Sequence, residues 1–195
     1  MLWNINIELL QFLNNLWNNY IVNLFVKIFA DGPILLLPIF FLAMWMYAVK
    51  KQDIVLKEKL MIIFYWCIIG IILSLTIQQF IHEARPEQNL SATGKLLLKH
   101  LPTAAFPSDH ATVGMAFVVG LYLFWLSFWG NIFLPLIALM CLARVIAWVH
   151  WPFDIVWGMI VGSLAASTGK YFLASNKVVK KVNSFIMHLL QIIKL

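Results

Sequence analysis

The sequence predicts an all-α fold: a polytopic transmembrane bundle of five to six helical spans, with an N-terminal interfacial helix and an amphipathic C-terminal tail. Three observations point there. Of the 195 residues, 63% are apolar and only 11% charged, against roughly 45–50% and about 25% in an ordinary soluble domain. The mean hydropathy is +0.88 and several long runs carry no charge, so lipid is the solvent for most side chains. The cations behind the net charge of +6 cluster beside apolar runs, which indicates membrane topology rather than a nucleic-acid partner. One membrane-embedded domain over residues 1–175 and a cytoplasmic tail over 176–195 account for the whole length.

A bilayer core is about 30 Å thick and a helix rises about 1.5 Å per residue, so a span takes roughly 17–25 apolar residues. Residues 5–30 are apolar but interrupted by Asn14, Asn15, Asn18, Asn19 and Asn23. They read as a short surface helix near 5–17 followed by a second near 20–30 that dips into the membrane, a sixth and poorer span being the alternative. Five clear spans follow near 33–49, 60–81, 110–129, 132–149 and 153–173. In the last, Gly158 and Gly162 form a small-xxx-small pair suited to close packing inside one bundle. Trp45, Trp125, Trp129, Trp148 and Trp151 fall near predicted span ends, as an interfacial aromatic belt requires. Cys67 and Cys141 lie inside apolar runs and read as buried packing thiols. No basic start with a cleavage site precedes the first apolar run, so the N-terminus is expected to be retained. The tail alternates Lys177, Lys180 and Lys181 with Val, Phe, Ile and Leu, fitting an anionic inner leaflet.

Orientation follows the cations. Lys50, Lys51, Lys57 and Lys59 share a face with Lys170, Lys177, Lys180, Lys181 and Lys194, nine in all; the other face receives four, Arg85, Lys95, Lys99 and Arg144. The lysine-rich face is therefore predicted to be cytoplasmic, with the 83–109 loop on the periplasmic or extracellular side of an inner or plasma membrane.

Ionisable residues at membrane depth are expensive, so in this chain they are the informative ones. Three groups converge on the outer face: His82, Glu83, Arg85 and Pro86; Pro107, Ser108, Asp109 and His110; and Arg144 with His150 and Asp154. Such a collection suits phosphoryl transfer. Arg85 and Arg144 are guanidinium forks that match phosphate oxygens. Ser108 sits at a helix N-cap, where free N–H groups favour an anion, and His110 at the same helix start could protonate a leaving oxygen. His150 could attack phosphorus through one ring nitrogen if Asp154, four residues on, held the other. Pro152 is expected to open the last span as its first helical residue. The blander readings are that Asp109 and Asp154 merely cap helix starts, and that His82, His100 and His188 are interfacial polar residues. Arg144 resists one, because an Arg at the end of an apolar span needs a counter-charge or an anion.

These blocks resemble the membrane-bound type 2 phosphatidic acid phosphatase family. Its signature is a Lys separated by six residues from Arg-Pro, then Pro-Ser-Gly-His, then Ser-Arg, five residues, His, three residues, Asp. Here the matching residues are Arg85-Pro86, Pro107-Ser108-Asp109-His110, and Ala143-Arg144 with His150 and Asp154. The resemblance covers residues 78–162 and looks most like the bacterial branch that acts on undecaprenyl diphosphate. It implies a membrane hydrolase releasing phosphate from a polyprenyl or glycerolipid phosphate, with a link to lipid-carrier recycling, peptidoglycan synthesis and resistance to bacitracin. It further implies His150 as nucleophile through a phosphohistidine, Asp154 as its orienting partner, His110 as general acid, Arg85, Arg144 and Ser108 as phosphate clamp, and no cofactor or metal. Three positions depart from the pattern: Gln78 stands for the Lys, Asp109 for the Gly and Ala143 for the Ser. Gln78 is expected to contribute hydrogen bonds to phosphate without charge, with Lys95 or Lys99 as auxiliary cations and Asp109 beside the anion site. Phosphatidylglycerol phosphate, phosphatidate and lipid A are the rival substrates. A non-catalytic lipid-phosphate binding or transport protein is the rival class, and the clustering of charge at one face argues against a transport path.

Overall fold

The computed structural model describes residues 2–16, 19–90, 93–98, 104–172 and 176–192. Among the described residues all regular structure is helical: α1 (Leu2–Leu16), α2 (Tyr20–Lys51), α3 (Ile54–Phe80), α4 (Pro86–Asn89), α5 (Asp109–Leu123), α6 (Ser127–Ile146), α7 (Pro152–Phe172) and α8 (Lys177–Ile192). Three of them, α2, α3 and α6, are long and apolar enough to cross a membrane, and α5 is a shorter apolar helix.

The first departure from expectation is α2. Residues 20–30 are not a separate dipping helix; they run unbroken into the next span as one helix of 32 residues, about 48 Å long at about 1.5 Å per residue. Pro33 and Pro38 lie inside it, and each removes one ladder bond. Packing along α6 and α3 holds the helix together across both. At its start, Asn19 Oδ1 accepts the Val22 N–H at 3.1 Å. At its end, Gln52 takes a left-handed conformation, φ 55°, and its N–H reaches the Ala48 and Val49 carbonyls. Asp53 follows at once as the N-cap of α3, accepting the Leu56 N–H at 2.9 Å.

The centre of the bundle is α5, which packs on α7, α3 and α6. At 15 residues it is about 22 Å long, short for a bilayer. Its sides are covered by protein: Ala111, Thr112, Gly114, Phe117, Val118, Gly120 and Leu121 are buried. Near-contact of backbones makes this possible. A Cβ on Gly158 would sit 2.6 Å from the Ser108 carbonyl oxygen, and one on Gly162 2.1 Å from that of Thr112, so the small-xxx-small pair does pack α7 against α5. An edge-to-face cluster of Phe40, Phe117 and Phe133, with centroids 4.9–5.3 Å apart, ties α2, α5 and α6. Cys67 and Cys141 are free and buried.

The aromatic belt needs correction. Trp125 is exposed, but Trp148 and Trp151 are almost wholly buried. Both belong to the α6–α7 turn, where Trp148 adopts φ 68° and lies flat against Gly94, whose hypothetical Cβ would fall 2.2 Å from the indole. Trp151 Nε1 donates to the Ala84 carbonyl at 2.9 Å. These rings are the floor of a folded turn, not membrane anchors.

At the lysine-bearing end, α8 docks against α3: Tyr65 Oη donates to Asn183 Oδ1 at 2.9 Å, and Asn183 is buried. At the other end α1 lies against α6 and α7, with Leu10 fully buried. Two of its asparagines, Asn6 and Asn14, are anchors. Asn14 Nδ2 donates to the Ile146 carbonyl at 2.7 Å and the Lys95 carbonyl at 3.0 Å, and Asn14 Oδ1 accepts the Lys95 N–H at 2.9 Å. Asn6 Oδ1 accepts the Phe153 N–H at 3.1 Å, one of the donors that a helix start otherwise leaves unbonded.

Because its clash is with backbone, Gly162→Ala should destabilise the protein by about 1–3 kcal/mol, the usual range for overpacking. Gly32→Ala, whose Cβ would meet only a side-chain atom at 3.9 Å, should leave the protein as stable as before or slightly more so. Thermal unfolding in detergent of the two variants side by side checks this.

Candidate active site

The α6–α7 turn is built to present one imidazole. Arg144 lies in the last turn of α6, the Val149 N–H returns to the Arg144 carbonyl at 3.2 Å, and Pro152 opens α7 as its first helical residue, where the missing N–H does no harm. Asp154, two residues further, reaches back so that Oδ2 accepts the Trp151 N–H at 2.8 Å, half of a capping box. The same Oδ2 lies 3.4 Å from His150 Nδ1.

His150 is 3% exposed. Its Nδ1 faces the Ala105 carbonyl at 3.0 Å, an acceptor only, so Nδ1 carries the proton in the neutral ring. The lone pair is then on Nε2. It points between Arg85 Nη1 at 3.3 Å and Arg144 Nη2 at 3.4 Å. Both guanidiniums are buried, 3% and 0% exposed, and both are held by backbone: Arg85 Nη1 donates to the Val149 carbonyl at 2.8 Å and Nη2 to that of Ala104 at 3.4 Å, while Arg144 Nη1 donates to that of Ala30 at 3.2 Å. Burial pulls the Arg85 pKa down, against the opposing charges of Glu87, Asp154 and Asp109, and pushes the nearby Glu83 and Glu87 carboxyls up. Chemically, two buried guanidiniums flanking an imidazole lone pair form a cradle that can hold an anion, with a nitrogen beside it able to act as a nucleophile.

Ser108 caps α5, and its N–H donates to the Asp154 carbonyl at 3.1 Å. Its Oγ is buried without a hydrogen-bond partner among the described residues. His110, the second residue of α5, lies with Nε2 3.2 Å from Asp31 Oδ1. That same oxygen pairs with Arg144 Nη1. Asp31, on α2, is the site residue that sequence reasoning did not pick out.

Other expected residues fall elsewhere. Gln78 donates through Nε2 to Asp109 Oδ1 at 2.8 Å and to the Pro107 carbonyl at 3.2 Å, and Ser74 Oγ donates to the same carboxylate oxygen at 2.6 Å. Thus Gln78 and Asp109, two departures from the family pattern, bind each other. The carboxylate beside the anion site is drawn towards α3, and the amide is engaged on it. Lys95 lines a groove with Tyr20, Asn23, Leu24 and Lys27. His82 is exposed. Lys99, His100 and Lys194 lie outside the described residues. Ala143 is buried in an apolar cluster with Val26 and Ala30 of α2.

Residues 59–177 match the model of the PAP2 superfamily. The chain belongs to the PAP2 superfamily. Among curated proteins it is 27% identical over 169 residues, 84% of this chain and 80% of the other, to "Putative undecaprenyl-diphosphatase YbjG" of Escherichia coli (strain K12). Among solved structures it is similar to Aquifex aeolicus LpxE, with TM-score 0.70 and 20% identity over 86% of this chain and 96% of that one. It is also similar to the first transmembrane PAP2 type phosphatidylglycerolphosphate phosphatase from Bacillus subtilis, with TM-score 0.66 and 19% identity over 88% and 85% of the two chains. At those identities the two structures speak for the fold. The protein is a PAP2 membrane phosphatase, a hydrolase of phosphate esters.

In this PAP2 site Gln78→Ala should leave Asp109 with fewer donors and free its charge to turn towards the cradle. The KM for a phosphate substrate should rise about fivefold, the equivalent of roughly 1 kcal/mol, with kcat little changed. Asp109→Asn in the same background should restore the KM, which steady-state kinetics on the four-member cycle measures.

Proposed function

We propose that this protein hydrolyses undecaprenyl diphosphate to undecaprenyl phosphate and inorganic phosphate on the outer face of the membrane. The observation that carries the chemistry is the His150 lone pair aimed between Arg85 and Arg144. His150 Nε2 attacks the terminal phosphorus, the bond from that phosphorus to the bridging oxygen breaks, and His110 gives its proton to that oxygen as undecaprenyl phosphate departs, leaving a phosphohistidine. Water then attacks that phosphorus, His110 takes the water's proton, the N–P bond breaks and phosphate departs. Arg85, Arg144 and Ser108 bind the non-bridging oxygens, and the two guanidiniums supply positive charge where it develops. Asp154 and the Ala105 carbonyl hold the imidazole and favour its positively charged form during the transfer.

Support for the polyprenyl substrate comes from the relative in Escherichia coli, named for that reaction, and from the site's place at one end of the bundle, where a headgroup lies. Lysines support the orientation: Lys50, Lys51, Lys57 and Lys59 surround the α2–α3 turn, and Lys177, Lys180 and Lys181 sit on α8 docked at that same end. With α2, α3, α5, α6 and α7 as five crossings, the site faces outward and α8 lies on the inner surface, its exposed Val178, Val182 and Phe185 against lipid.

Phosphate release by the purified protein in detergent, with a chelator present, tests this on undecaprenyl diphosphate, phosphatidylglycerol phosphate and phosphatidate. Release should be fastest from undecaprenyl diphosphate, and His150→Ala should reduce it more than about 100-fold. Faster turnover of either glycerolipid would reassign the substrate. Activity retained in His150→Ala would remove the covalent route, and loss to the chelator the metal-free one.

A further inference from the structure

Asp31 lies outside the three motif blocks, on a helix that none of them includes, yet it closes the site. One oxygen, Oδ1, faces His110 Nε2 at 3.2 Å and also pairs with Arg144 Nη1. Arg144 Nη1 further donates to the carbonyl of the preceding residue, Ala30, at 3.2 Å. Consecutive acceptors on α2 thus grip one edge of the Arg144 fork and leave Nη2 towards His150. The charged groups around this carboxylate are Arg144 from α6 and, from α5, His110 with Asp109 beyond it. Asp31 remains 48% exposed while Arg144 is fully buried, so the carboxylate sits at the rim of the cradle, on the His110 side.

We propose that Asp31 is a positioning residue for proton transfer to the leaving group: it orients the His110 ring and holds the Arg144 fork in register with it. This rests on the reading that His150 is the nucleophile and His110 the proton donor. The site then contains two histidine–aspartate pairs with separate duties. Asp154 serves the nitrogen that attacks phosphorus, and Asp31 serves the ring that protonates the oxygen on the far side. An aspartate that orients the donor histidine matters in proportion to how much proton the departing oxygen needs. An alkoxide needs it greatly, and a nitrophenolate hardly at all. A lipid phosphate leaving from a diphosphate lies near the second extreme.

The experiment compares full-length wild type and Asp31→Asn in detergent on dodecyl phosphate and on p-nitrophenyl phosphate. Turnover of the alkyl phosphate should fall about tenfold or more and that of p-nitrophenyl phosphate less than about threefold, with both KM values within about twofold of wild type. In a His110→Ala background the substitution should no longer discriminate between the two leaving groups. Asp31→Glu keeps the carboxylate, should recover part of the alkyl phosphate rate, and carries the comparison if Asp31→Asn does not fold. An equal fall on both substrates would reduce Asp31 to a structural counter-ion and overturn the proposal. So would unchanged turnover with tighter inhibition by inorganic phosphate, which would mean that the carboxylate merely occupies the anion site. Failure of the underlying reading looks different: His150→Ala would still turn over p-nitrophenyl phosphate, whatever Asp31→Asn does.

Discussion

Two buried guanidinium groups, Arg85 and Arg144, converge on one imidazole nitrogen, and that juxtaposition of like charges is the constraint around which this end of the bundle is built. A buried charge is tolerated only when it is paired and hydrogen-bonded. Each guanidinium is accordingly met by carbonyls turned out of regular structure or by a helix that arrives for the purpose: Val149 and Ala104 for Arg85, Ala30 with Asp31 for Arg144. On the proposed reading, the same two guanidiniums are what would bind the phosphate oxygens of a substrate.

The remaining elements serve to hold those groups in place. Two distant segments join the two helices flanking His150: the 104–108 stretch gives its Nδ1 a carbonyl and the α4 start gives Arg85, while α7 gives Asp154 and α6 gives Arg144. Their relative positions depend on how closely α5 approaches α7, and therefore on Gly158 and Gly162, where only hydrogen fits between the backbones. Helix α1 fastens the same end from outside, its Asn6 and Asn14 bonding to the starts and ends of α7 and α6. Hydrophobic packing builds the bundle, and hydrogen bonds to main chain aim the site.

Much of this was legible in the sequence because motif spacing and helix periodicity encode it directly. The imidazole, its carboxylate, both arginines and the helix N-cap could be named from their spacing, and the lysine distribution located the opposite end. Other features were illegible for physical reasons. Gln78 and Asp109 each looked like a local departure from a pattern, and only the fold reveals that they are 2.8 Å apart and compensate one another. Trp148 and Trp151 looked like interfacial anchors because hydropathy does not register a turn that folds inward. Asp31 was hidden by its neighbours, Gly32 and Pro33, which suggested a break where α2 continues. A signal for it did exist. An arginine at the end of an apolar span requires a counter-charge, and Asp31 is the acidic residue between Tyr20 and Lys51. Likewise Asn6, Leu10 and Asn14 recur at helical spacing of four, and their shared face is the buried one.

The most direct measurement is to capture the covalent state. Wild-type protein mixed with a lipid phosphate carrying a labelled terminal phosphoryl group, quenched in alkali during turnover and digested, should yield the label on the His150 peptide, and Asp154→Asn should lower its steady-state amount by slowing its formation. Label on another residue, or single-turnover hydrolysis in which no protein-bound phosphoryl group forms while product does, would contradict the assignment of His150 as nucleophile.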